Sequence, residues 1–181
     1  MRIIEKTIIL GVTASIAIYK ACDLIRRLKE CGFSVCVVMT KEAEELIKPI
    51  VFQSLSGGRV YRGGIFDEQD TWEIDHIALA QKADLILIAP ATANIIAKLA
   101  AGICDDLLTA TICASQAKVL IAPAMNEFMY RNKITQSNIA KLKSCDYKFI
   151  APRKGLLACG KEGIGCLAEP EEIVKEVKKL L

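Results

Sequence analysis

Short apolar runs alternate along the chain with longer stretches whose apolar residues recur at helical spacing. Thr7-Ile8-Ile9-Leu10 is a β-branched run that ends at Gly11. Beyond it Ala17, Ala21, Leu24, Leu28 and Cys31 recur at intervals of four, three, four and three, which predicts an amphipathic helix stopped by Gly32. Val35-Cys36-Val37-Val38-Met39 follows as a second buried strand, so the opening is a βαβ unit with an expected right-handed crossover. A helical pattern over 42–55 is interrupted at Pro49 and ended by Ser56-Gly57-Gly58, and Val60-Tyr61 reads as a short edge strand. Residues 62–75 are irregular and read as a loop that delivers His76.

Leu85-Ile86-Leu87-Ile88-Ala89 is a third long buried strand, entered from a short helical pattern and left through Pro90-Ala91-Thr92-Ala93-Asn94. Thr92 caps a helix ending at Gly102, and Asp105-Asp106 opens another over 107–114. Val119-Leu120-Ile121 is a strand, 125–144 holds one or two helices, and 147–150 is the last strand. Pro170 opens a closing helix with Ile173, Val177 and Leu180 on one face. The tally is six strands, mostly parallel, with helices between them: an α/β three-layer sandwich.

With 181 residues the chain is read as one domain, residues 1–181. Its 52% hydrophobic content and mean hydropathy of +0.33 imply that part of the apolar surface is covered by other subunits. No apolar run is long enough to cross a bilayer, and Glu5 and Lys6 interrupt the N-terminus, so no membrane association and a cytoplasmic location are expected. The eight cysteines contain no CxxC pair and several lie in apolar periodic segments, which suits a reducing compartment and argues against a metal site. A formal charge of +3, from 24 basic and 21 acidic residues without long basic runs, gives no basis for nucleic-acid binding.

In an open parallel sheet, ligands bind beyond the carboxyl ends of the strands. The turn Gly11-Val12-Thr13-Ala14-Ser15-Ile16 lacks the later glycines of a dinucleotide fingerprint, but offers hydroxyls and N–H groups at a helix N-terminus that suit a single phosphate. Ser15 equally fits an ordinary N-cap, and Thr40, after the second strand, has the same two readings. His76 is the only histidine, and a lone histidine fits a structural role as well as a chemical one. Ala122-Pro123-Ala124-Met125-Asn126 repeats the strand, Ala-Pro and Asn pattern, with Met125 open to a packing role and Asn126 to a helix cap before Glu127. The stretch 156–170 reads LLACGKEGIGCLAEP. Four of the 11 glycines, at 155, 160, 163 and 165, surround Cys159; such a backbone reads as mobile, and a cysteine on it invites a chemical role.

His76 ahead of PATAN, then PAMN, then ACGxxGxG, taken in order, resembles the homo-oligomeric flavin-containing cysteine decarboxylases over about 7–170. Among them it is most similar to the branch that acts on phosphopantothenoylcysteine in coenzyme A biosynthesis. The resemblance implies a flavodoxin- or Rossmann-like fold, FMN as cofactor, and a trimer or multiple of trimers. It also implies a phosphopantothenate-cysteine ligase, fused or separate, as a companion activity. Flavin contacts are implied for Thr13, Ala14, Ser15, Ile16, Thr40, Phe52, Thr92, Ala93, Asn94, Ile95 and Met125. Asn126, Ala158 and Gly160 are implied to bind substrate.

Loss of CO2 from a cysteine unit needs an electron sink, which the family makes by flavin oxidation of the CH2–SH group to a thioaldehyde. His76 then takes the thiol proton or holds the carboxylate, and Cys159, on a flap, returns a proton as the ene-thiol is reduced. One departure stands out. Relatives commonly read GRMxEP where this chain has Gly165-Cys166-Leu167-Ala168-Glu169-Pro170, so an arginine is missing and Arg153 or Lys154 is the available substitute. Cys166 is read first as packing, with a disulfide to Cys159 on oxidation as the other reading. The rival functions are peptidyl-cysteine decarboxylation, a non-catalytic FMN-binding carrier or regulatory subunit, and flavin prenyl transfer; the PAMN and ACGxxGxG segments argue against the last.

Overall fold

The computed structural model describes residues 5–63, 75–158 and 160–181. The first strand, β1 (Thr7–Val12), is buried along its whole length and runs through a 3-10 turn (Ile16–Tyr19) into α1 (Lys20–Glu30). Then come β2 (Ser34–Met39), α2 (Lys41–Glu44), α3 (Pro49–Ser56) and β3 (Val60–Arg62). Pro49 begins α3, and Gly57 ends it in the left-handed conformation. The chain continues through α4 (Asp75–Lys82), β4 (Leu85–Ala91), α5 (Ala93–Ala101), α6 (Leu107–Ala114) and β5 (Lys118–Pro123). It closes with α7 (Glu127–Arg131), α8 (Lys133–Ser144), β6 (Lys148–Phe149), the hairpin β7 (Arg153–Leu156) and β8 (Glu162–Cys166), and α9 (Pro170–Leu180).

Among the described residues β1 to β6 form one sheet in the order β3-β2-β1-β4-β5-β6, with every neighbouring pair parallel. This is the doubly wound Rossmann order expected from the alternation of strands and helices. The period-two pleat sorts the buried strand residues to two faces. Ile8, Leu10, Val12, Val37, Leu87 and Leu120 pack with Leu24, Leu28, Phe52, Ile173 and Val177 from α1, α3 and α9. Ile9, Val38, Ile86, Ile88 and Ile121 pack with Leu79, Ile96, Leu108 and Leu142 from α4, α5, α6 and α8. At the amino edge, Asp84 accepts the Thr7 N–H at 2.8 Å and pairs with Lys6 at 2.7 Å, pinning the start of β1 to the start of β4.

The structure sharpens the pattern-based reading at three places. Asn132 splits 125–144 into two helices because its side chain accepts the Ile134 N–H and caps α8. The strand read as 85–89 runs on to Ala91, with its register against β5 shifted between Ile88 and Ala91. The glycine-rich stretch read as a flap forms an antiparallel hairpin, β7–β8, with its register shifted between Arg153 and Lys154. Residues 64–74, read as a loop, lie outside the described residues. Among the described residues no helix is long and apolar enough to cross a membrane.

Candidate functional site

The strand order reverses between β1 and β4, so their carboxyl ends bound the crevice where such sheets take ligands. Thr13 follows β1 and is 2% exposed. Its hydroxyl donates to the Pro90 carbonyl at 2.8 Å and accepts the Thr92 N–H at 3.1 Å. In this structure that hydroxyl ties the two strand ends together. Thr40 does related work through its backbone, donating its N–H to the Val12 carbonyl and accepting that of Ala43. Its side chain, in the N-cap position of α2, makes no capping bond.

Ser15 caps the 3-10 turn, its Oγ accepting the Ala17 N–H at 3.4 Å, so the capping alternative is realised. A hydroxyl that accepts there still has its own hydrogen to give to an anion. Ala14 and Ser15 are half-buried and Ile16 is exposed, so the turn faces outward at the head of α1. On the other side of the crevice, Thr92 caps α5 by accepting the Ile95 N–H at 3.3 Å, with Ala93 half-buried and Asn94 exposed in the first turn. Two helical N-termini with their positive dipole ends therefore flank the β1/β4 switch point. Two expected flavin contacts have buried side chains. Phe52 lies on the inner face of α3 with no exposed surface and packs in the core, and the Ile95 side chain is likewise buried.

The carboxyl end of β5 continues this edge. The Ala124 N–H donates to the Ala91 carbonyl at 2.9 Å, joining the Pro-Ala segment after β4 to its counterpart after β5. The next residue, Met125, is 9% exposed and donates its N–H to the Gly165 carbonyl of β8 at 3.0 Å. Asn126 caps α7, its Oδ1 accepting the Phe128 N–H at 2.8 Å. The hairpin reaches this segment by giving up side chains. A Cβ on Gly165, which has φ 151°, would lie 2.0 Å from the Met125 carbonyl oxygen, and one on Gly163 would lie 2.4 Å from Glu127 Oε2. The glycines read as a source of mobility are what allow close docking. At the tip, Leu157 donates its N–H to the Lys161 carbonyl and Gly160 to that of Leu157, with Ala158 and Gly160 exposed. Cys159 lies outside the described residues.

The base of the hairpin carries a three-membered charge cluster. Arg153 stands opposite Cys166 in the β7–β8 register and its Nε lies 2.7 Å from Glu169 Oε1. Lys20 reaches the other oxygen of Glu169 at 2.9 Å. Lys20 first, and Arg153 after it, hold the Glu169 carboxyl below its ordinary value. Pattern reading gave Glu169 and Lys20 no part, and an acid just before an N1 proline was the available signal. Cys166 packs at this base, its thiol 3.5 Å from the Leu156 carbonyl.

His76 stands apart, in the first turn of α4, which packs on α6. Among the described residues no hydrogen bond or ion pair joins it to Thr92, Asn126 or the hairpin, and its Nδ1 is buried without a partner. Such an atom carries an uncompensated desolvation cost of about 1–3 kcal/mol and calls for a partner from outside this chain's described residues. Its neighbour Asp75 is held by Arg59 at 3.5 Å, and that guanidinium lies 5.0 Å from the centre of the Tyr61 ring. The structure thus brings the Thr13, Thr92, Met125 and Gly165 segments into one hydrogen-bonded edge and leaves His76 on a separate helix.

Comparison with known proteins adds the following. A family model described as Flavoprotein matches residues 2–181. The coenzyme A biosynthesis bifunctional protein CoaBC of Bacillus subtilis is 48% identical over 175 residues, covering 97% of this chain and 43% of that protein. The chain therefore spans less than half the length of that bifunctional relative. A probable phosphopantothenoylcysteine decarboxylase of Streptococcus mutans is 46% identical over 178 residues, covering 97% of this chain and 99% of the relative. Among solved structures, a PPC decarboxylase mutant complexed with pantothenoylaminoethenethiol superposes with TM-score 0.86 at 31% identity, over 97% of both chains. The FMN binding protein AtHal3 does so with TM-score 0.83 at 31% identity, over 97% of this chain and 96% of the other.

Proposed function

The chain belongs to the flavoprotein family, and from that premise we propose that it is an FMN-dependent carboxy-lyase converting 4'-phosphopantothenoylcysteine to 4'-phosphopantetheine in coenzyme A biosynthesis. The observation that carries this reading is the continuous edge on which the PATAN segment, the PAMN segment and the glycine-rich hairpin are hydrogen-bonded in turn. A relative named for this reaction matches along 99% of its length.

The groups at the switch point fit FMN in their donor chemistry. The outward turn at Ala14, Ser15 and Ile16 offers a hydroxyl and N–H groups to a phosphate. The head of α5 offers a second set of donors in the Thr92 hydroxyl and the Ala93 and Asn94 N–H groups, while the Ile95 N–H is held by Thr92. Met125 closes the β5 side. When bound, FMN supplies the oxidation of the substrate's CH2–SH group and later returns the electrons. The protein's own residues do the rest. The Asn126 carboxamide orients the carboxylate and amide of the cysteine unit, and Ala158 and Gly160 of the hairpin tip contribute to the substrate site. His76 takes the thiol proton or holds the carboxylate, and Cys159 delivers the proton that completes the product.

His76 meets its cofactor across a subunit contact in a trimer or multiple of trimers. The orphaned Nδ1 supports this, as do the exposed apolar side chains Ile16, Tyr19, Phe128 and Ile134. The assembly works in the cytoplasm, where the cysteines stay reduced.

Purified protein should carry a yellow flavin and convert phosphopantothenoylcysteine to a product lighter by CO2. Cys159→Ser should still release CO2 but accumulate an oxidised ene-thiol. FMN binding with no product would make the chain a carrier, and a Cys159→Ser variant indistinguishable from the parent would remove the role given to that thiol.

A further inference from the structure

Glu169 connects two parts of the molecule that lie far apart in sequence. Lys20, on one oxygen, is the first residue of α1, directly after the turn that Ser15 caps, and its side chain is only 17% exposed. Arg153, on the other oxygen, begins β7. Glu169 itself is fixed on both sides. Leu167 and Ala168, immediately before Glu169, are buried in the core, and Pro170 starts α9, which is bridged to α1 a second time by Arg27 and Glu171 at 2.9 Å. The strand β7, by contrast, has little else to hold it. It belongs to a two-stranded sheet that is docked through Gly163 and Gly165 of β8, and a lone two-stranded ribbon is marginally stable.

Resting on the function proposed above, we infer that Glu169 is a positioning residue whose carboxylate clasps the base of the β7–β8 hairpin to the cofactor turn. Occupation of the turn and closure of the hairpin over Asn126 are thereby coupled. The clasp also accounts for the departure at Cys166: the guanidinium comes from Arg153, the residue facing Cys166 across the ladder, and it is used on Glu169. Ion pairs this exposed add little to global stability. The consequence is local, in the population of open hairpin.

The test uses the full-length protein with and without FMN, and reads tryptic cleavage after Lys161 at the hairpin tip. In the parent, FMN should slow that cleavage. Glu169→Gln and Arg153→Met should each raise the rate with FMN bound by roughly fivefold and remove most of the FMN effect. Arg153→Lys, which keeps a cation on Oε1, should behave as the parent. An FMN-bound Glu169→Gln protein whose Lys161 cleavage is slowed by FMN as strongly as in the parent would overturn the inference. Should Glu169→Gln fail to fold, the Arg153→Met and Arg153→Lys pair decides alone, equal rates in the two counting against the clasp. Failure of the underlying function has a different signature: the parent would not quench FMN fluorescence at all, and the coupling would fall with it.

Discussion

The β1/β4 switch point and the face where the hairpin meets β5 border the same edge of the sheet, and they are built by opposite means. At the switch point polar groups are buried and mutually satisfied, with the Thr13 hydroxyl serving two backbone partners. At the hairpin side chains are removed, so that backbone meets backbone at Gly165 and Met125. The first arrangement is rigid because breaking it exposes buried donors and acceptors. The second is a close backbone-to-backbone fit on a two-stranded ribbon, a kind of element that opens locally more readily than the central sheet. On the function proposed above, the firm region would seat the cofactor and the lighter one would cover the substrate.

The sharpest way to break the comparison is Gly165→Ala. The new methyl would lie 2.0 Å from a carbonyl oxygen of the main chain, an atom that cannot swing aside, and φ at 151° already disfavours a side chain. The hairpin must lift off Met125, with an expected loss of roughly 3 kcal/mol in denaturant unfolding, or complete loss of protection at Lys161. If Gly165→Ala matched the parent in both, the account of the hairpin as a glycine-docked element would be wrong.

Thr13→Val tests the other side. Valine keeps the shape but leaves the Pro90 carbonyl and the Thr92 N–H without their shared partner, so a loss of about 2 kcal/mol is expected. Thr13→Ser keeps the hydroxyl and forfeits one buried methyl, about 0.8 kcal/mol. A valine variant no worse than the serine one would show that packing, not hydrogen bonding, joins these strand ends.

The two regions also differed in how far they could be read from residue order. The alternation of apolar runs with 3.6-period stretches places β1, α1, β2 and β4, because each buries a whole face and the burial is written in the spacing. Thr92 and Asp106 were readable as caps for a local reason, since a cap and its N–H partner sit within three residues. What stayed hidden depends on distant pairs. That Thr13 serves Pro90 and Thr92 reflects strand order, and that Gly165 lies on Met125 reflects a docking partner forty residues away. The hairpin was masked further because Arg153-Lys154-Gly155-Leu156 shows no apolar alternation. The burial of Phe52, implied as a flavin contact, was not legible either, because the inner face of α3 is fixed by packing against α1 and β2.

At the opposite edge of the sheet Asp84 gives a smaller effect with a defined sign. Its carboxyl is held below the ordinary value by Lys6 and then by the Thr7 N–H. A depressed carboxyl contributes stability that is present above the unfolded carboxylate value of about 3.9 and lost as pH falls through the folded value. Asp84→Asn should cost about 1 kcal/mol at neutral pH, and the gap to the parent should close as pH is lowered below about 4. Urea unfolding of both proteins across that range checks it; a gap that stays constant would assign the effect to shape rather than charge.

The finest distinction lies within the hairpin itself. Gly160, at the tip, is left-handed with φ 79° but has open space where a Cβ would go, so Gly160→Ala meets backbone strain without any clash. A tip can relieve strain by opening locally, and the global cost is then capped by the free energy of that opening. Unfolding stability should therefore fall by less than about 0.5 kcal/mol, whereas cleavage after Lys161 should rise several-fold. Gly165→Ala can find no such relief, because its clash sits where β8 is docked. If the two alanine variants destabilised the protein equally, tip and docking site would be opening as one unit, and the hairpin would be as firmly built as the switch point it faces.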